Sequence, residues 1–72
     1  MPRLEDLNHF IEEVDRRKEE IPPFAEKEEG DYELACDLVA DLRRVKLDEV
    51  SGLVSATRNF LSIYGIQINV NI

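Results

Sequence analysis

Residues 65–72 read Gly-Ile-Gln-Ile-Asn-Val-Asn-Ile, and this tail constrains the chain more than any other segment. Ile66, Ile68, Val70 and Ile72 alternate with Gln67, Asn69 and Asn71, the period of two that marks a half-buried strand. No other stretch of the sequence alternates in this way. A strand has unpaired backbone donors and acceptors along both edges, and this one carries no charge or proline to discourage edge-to-edge pairing. The rest of the chain therefore has to supply a neighbour, or another molecule does.

Upstream, the spacing is helical. Leu4, Leu7, Ile11, Val14 and Ile21 recur at intervals of three, four or seven, with Phe10 widening the stripe and Lys18 standing at the seam position left between Val14 and Ile21. The opposite side carries Glu5, Glu12, Glu13, Arg16, Glu19 and Glu20, including acid-to-base pairs four residues apart. Pro22 and Pro23 end this helix, because Pro22 disfavours helical geometry at Ile21 and neither proline donates a backbone hydrogen bond. Residues 21–31, IPPFAEKEEGD, form a Pro/Glu-rich connector in which Phe24 is expected to fold back on the core.

Asp31 is placed to cap a second helix that ends near Arg43, Arg44 and Lys46, with Leu34, Leu38, Leu42 and Val45 as its buried face. In the third helix Leu47, Val50, Val54, Thr57, Leu61 and Tyr64 make one stripe, and Leu53, Ala56, Phe60 and Ile63 make a second beside it. The two helical patterns are out of phase, so a break is expected at Lys46 to Asp48, with Asp48 as the cap. Gly65 suits the left-handed residue just past a helix, leaving Ile66 to touch Leu61. The expected fold is mainly α: one small domain over residues 1–72, with helices at about 3–20, 32–45 and 48–64 and a C-terminal β-strand at 66–72.

With no second strand in the chain, the simplest partner for that strand is the same strand of another copy, antiparallel about a two-fold axis. Leu53, Phe60 and Tyr64 of the third helix with Ile66, Ile68, Val70 and Ile72 are the expected interface of a homodimer or higher even oligomer. Addition to another protein's sheet, pairing with the connector around Phe24, and a disordered tail are the competing readings. A chain this short has a thin core and usually needs a disulfide, a metal or a partner subunit. Cys36 is the only cysteine, so an intrachain disulfide is excluded and a partner subunit is the remaining route.

Charge narrows the functions. The chain holds 16 acids and 9 bases, net −7, with most of the excess in residues 1–31. Such a surface repels phosphate backbones and anionic lipid, which disfavours nucleic acid and membrane as partners. No apolar run has the length of a signal peptide or a membrane span, and the expected location is cytoplasmic. The line of Glu5, Glu12 and Glu19 is a candidate face for a basic protein. His9 has carboxylates at helical spacing around it but no second histidine, and Cys36 has no histidine near it in sequence, so no metal, cofactor or catalytic residue is assigned. The expected function is a small acidic protein-interaction module, an adaptor, inhibitor or assembly subunit, acting as a homodimer through helix three and the strand. The alternative is a small dimeric DNA-binding regulator or antitoxin-like protein, with Arg43, Arg44, Lys46 and Arg58 as phosphate contacts and the outward Gln67, Asn69 and Asn71 as base readers.

Overall fold

The computed structural model describes residues 3–21 and 30–72. Helix α1 spans Leu4–Arg17 and tightens into a 3-10 turn at Lys18–Glu20. Helix α2 spans Gly30–Arg44 and helix α3 spans Val50–Ser62, preceded by a 3-10 turn at Leu47–Glu49. The three expected helices are present, and the break between the second and third falls at Lys46, whose backbone is extended. Phe24 and the suggested connector pairing lie outside the described residues. No described helix is long and apolar enough to cross a membrane.

The helices share one core. Leu7, Phe10, Ile11 and Val14 of α1 meet Ala35, Val39 and Leu42 of α2 and Val50, Val54 and Leu61 of α3. Two residues of the tail, Ile66 and Ile68, complete it. Thr57 is also fully buried, and its hydroxyl donates to the Leu53 carbonyl at 2.8 Å, so its polar atom is satisfied within its own helix.

Lys18 takes the seam position the sequence leaves for it. It is 8% exposed, and its ammonium donates to the Asp15 carbonyl at 3.0 Å and lies 2.8 Å from the Asp15 carboxylate. Its charge also stands 5.5 Å from the centre of the Tyr32 ring, while the Tyr32 hydroxyl donates to Glu19 at 2.7 Å. Arg43 approaches Asp15 from α2 at 3.8 Å. A polar cluster thus fastens the end of α1 to α2 where an aliphatic residue would ordinarily sit.

Several expectations need correcting. Asp31 lies inside the first turn of α2, and its carboxylate accepts the Tyr64 hydroxyl, which ties the start of α2 to the end of α3. Asp48 does not cap α3; it sits within the preceding 3-10 turn, and Glu49 occupies the cap position without a side-chain hydrogen bond. The buried line of α2 runs through Ala35, Val39 and Leu42, leaving Leu34 45% exposed. Ala35 is fully buried on that line, while its neighbour Leu34 is turned to the rim. Leu4 and Ile63 are also exposed.

Residues 66–72 form no strand among the described residues. The alternation is nevertheless visible in burial: Ile66 and Ile68 are buried and Val70 and Ile72 partly so, while Gln67, Asn69 and Asn71 are exposed. The alternating burial is that of an extended segment, which lies against its own helices and has no ladder partner among the described residues.

Phe10 is the largest fully buried side chain. Phe10→Ala is expected to cost about 3–5 kcal/mol, comparable with the whole stability of a domain this small, and to abolish a cooperative thermal transition in far-ultraviolet circular dichroism. The Lys18 hydrogen bond holds the Asp15 carboxyl below its ordinary 3.8. Its contribution to stability is therefore present above that value and is lost as pH falls through the depressed one. The Asp15 side chain is 45% exposed, so screening limits the effect to about 0.2–1 kcal/mol. Asp15→Asn should lower the unfolding free energy from urea titration by that amount at pH 7 and by nothing measurable near pH 2; an equal loss at both would separate the effect from ionisation.

Candidate protein-binding edge

Helix α3 is unusual for a chain so rich in charge: of its residues VSGLVSATRNFLS, only Arg58 is charged. Its buried line is Val50, Val54, Thr57 and Leu61. Beside that line, Leu53 and Phe60 are partly buried, and Ala56 and Ile63 are exposed. Gly65 then reverses the chain with φ of 73°. The Gly65 amide donates to Ser62 at 3.0 Å and the Ile66 amide to Leu61 at 3.1 Å, the paired bonds of a Schellman cap. No atom lies within 4 Å of a side chain built at Gly65, so the requirement for glycine is the positive φ alone.

This cap aims the tail back across α3 and α1, where two arginines receive it. Arg58 donates Nη1 to the Ile68 carbonyl at 2.7 Å and Nη2 to the Val70 carbonyl. The guanidinium also stands 5.2 Å from the centre of the Phe10 ring, so the only charge of α3 is placed over the core aromatic while it grips the tail. From α1, Arg17 donates Nη1 to the Gln67 carbonyl at 2.9 Å and Nε to Glu20 at 2.5 Å. That carboxylate keeps the Arg17 guanidinium protonated above its ordinary range. The backbone amides of Gln67 to Ile72 find no acceptor among the described residues. A half-open groove of about 280 Å³ runs between the tail and α3, bordered by Arg58, Asn59, Ser62, Gln67 and Asn69.

The residues expected at a dimer interface separate into two groups. Ile66 and Ile68 are 3% and 4% exposed and already belong to the core, and Tyr64 is engaged with Asp31 and packs edge-on against Phe60 at 6.0 Å. Leu53, Phe60, Val70 and Ile72 remain partly exposed. On the acidic face, Glu5, Glu12 and Glu19 are all exposed, and Glu19 alone accepts hydrogen bonds from Tyr32 and Lys18, which depress its pKa below 4.5.

The side chains proposed for phosphate are occupied in part: Arg43 and Arg44 face Asp15 and Asp41, and Arg58 holds the tail. His9 is exposed and Cys36 half-buried, and no group of three or more His, Cys, Asp or Glu among the described residues is placed to hold a metal ion. The sequence reading missed the roles of Arg58 and Arg17. The available signal was a lone cation on an otherwise uncharged helix, followed by a tail whose carbonyls needed donors. No known family model, curated protein or solved structure matches the chain.

Arg58→Met keeps most of the side chain's length and removes the donors. Each charge-assisted bond is worth about 1.5–3 kcal/mol, so the tail should detach: order parameters of residues 67–72 from nitrogen-15 relaxation should drop from about 0.85 to below about 0.6. Arg58→Lys, with a single point donor, should fall between. An equally rigid tail in the methionine variant would mean that side-chain packing alone holds it.

Proposed function

We propose that this chain works by binding protein, as an adaptor, inhibitor or assembly subunit, and that it does so as a homodimer joined through α3 and the C-terminal tail. One observation carries the reading: a tail with Gln67, Asn69 and Asn71 exposed lies beside a helix whose only charge is Arg58, turned to the tail. Extended segments with unpaired backbone groups recruit other extended segments. Leu53, Phe60, Val70 and Ile72 supply partly exposed apolar surface around it, and Ile63 and Ala56 continue that surface along α3. Ile66, Ile68 and Tyr64 would act from beneath, by fixing the tail and the end of the helix.

Electrostatics favours the same surface. Residues 1–31 hold most of the net charge, so two copies meeting there would repel, whereas a contact through α3 and the tail meets almost none. The exposed Glu5 and Glu12, with Glu19 nearby, would then face outward as the side offered to a basic protein. Duplex DNA is the disfavoured partner, because the arginines of the C-terminal half are engaged within the chain.

Sedimentation equilibrium at micromolar concentration is expected to return about twice the 8.3 kDa chain mass. A monomer at every concentration tested would overturn the homodimer. Binding of a basic protein should weaken steeply between low and physiological salt, and tight, salt-insensitive binding would remove the acidic face from the account.

A further inference from the structure

In extended chain the N–H and C=O of one residue point to one edge and those of the next residue to the other. The two carbonyls held by Arg58 belong to Ile68 and Val70, two residues apart, and so lie on the same edge. The Ile68 and Val70 carbonyls of that even-numbered edge are thus occupied by a side chain. The odd-numbered edge presents the backbone groups of Gln67, Asn69 and Asn71, and of these only the Gln67 carbonyl is taken, by Arg17. Asn69 and Asn71 are both exposed, and neither has a backbone hydrogen bond among the described residues.

We propose that two copies of this chain pair through the odd-numbered edge, antiparallel, with Asn69 of each opposite Asn71 of the other and Val70 on the two-fold axis. The inference rests on the homodimer proposed above and assigns its register. Each Asn69–Asn71 pair exchanges both of its N–H···O bonds, and the pattern is its own complement under a two-fold rotation. Setting Asn69 against itself instead would place Asn71 opposite Gln67, whose carbonyl Arg17 already holds. In the assigned register the two Val70 side chains meet as a non-hydrogen-bonded pair, and Ile68 of each chain faces Ile72 of the other on the apolar side of the ribbon. Arg58 occupies the Ile68 and Val70 carbonyls on the outer edge of both strands, which disfavours addition of a third strand and growth as an open sheet.

The test uses single cysteines in the full chain with Cys36 replaced by alanine. Under mild oxidation, Val70→Cys should form a disulfide-linked dimer, because facing residues of a non-hydrogen-bonded pair have Cα atoms about 4.5 Å apart, within disulfide reach. Asn69→Cys should not, since the two copies of residue 69 are offset along the strands beyond about 7 Å. Backbone donors are tested separately by proline. Asn71→Pro removes an amide from the paired edge and should weaken dimerisation by at least about tenfold; Val70→Pro removes one from the even-numbered edge and should weaken it far less. Cross-linking at residue 69 in preference to 70, or proline effects in the reverse order, in a chain that sediments as a dimer would overturn the register and leave the dimer standing. A chain that sediments as a monomer throughout would overturn both.

Discussion

The guanidinium of Arg58 is the interaction on which the arrangement of the C-terminal third depends. It joins α3 to the tail through the Ile68 and Val70 carbonyls and lies over Phe10 of α1, so a single side chain links three segments at the edge of the core. A planar fork suits this task because it presents parallel donors at fixed separation, matching carbonyls two residues apart on one edge of an extended chain. Carbonyls satisfied in this way do not need a neighbouring strand. The tail can therefore lie on its own subunit with those carbonyls occupied, an outcome that a two-state choice between ladder and disorder does not contain.

How firmly the tail is held follows from opposing terms of similar size. Fixing seven residues of backbone costs about 7–14 kcal/mol. Full burial of Ile66 and Ile68 returns about 3–6 kcal/mol, with less from Val70 and Ile72, and three hydrogen bonds from arginine add about 4–9 kcal/mol. These sums nearly cancel. A segment in that balance is ordered against its own chain yet responsive to any partner that adds contacts, which is the property required of an adhesive edge.

Much of this architecture was legible in the sequence because it rests on local rules. The helix stripes, the break at Lys46, the stop at Gly65 and the seam position of Lys18 each follow from periodicity or backbone chemistry read over a few residues. Ile66 and Ile68 were marked as apolar by the same alternation, but the pattern states only that one face is buried, and it is silent on which molecule covers it. The cap positions given to Asp31 and Asp48 failed for a related reason: a carboxylate at a helix start serves a distant hydroxyl as readily as a nearby amide, and Tyr64 lies far along the chain from Asp31. The rotation of α2 that buries Ala35 and leaves Leu34 at the rim likewise depends on packing against other helices. Arg58 was read as a surface cation because its acceptors are carbonyls, which every residue has and no sequence pattern singles out.

The distribution of charge gives the remaining step. A chain with net −7 and a thin core has reason to place ion pairs wherever a cation is found, and most of its described arginines do face a carboxylate. Arg58 has none among the described residues and spends its donors on backbone instead. A carboxylate partner on α3 or the tail would have left a charge pair on the surface that is otherwise neutral from Val50 to Ile72, and such a pair resists desolvation when two surfaces close on each other. Backbone acceptors neutralise nothing but leave no hydrated anion behind. A single positive charge, dispersed over a guanidinium and set against an aromatic ring, is the form of charge most compatible with an interface. In the proposed dimer, this is the property that suits Arg58 to the contact surface.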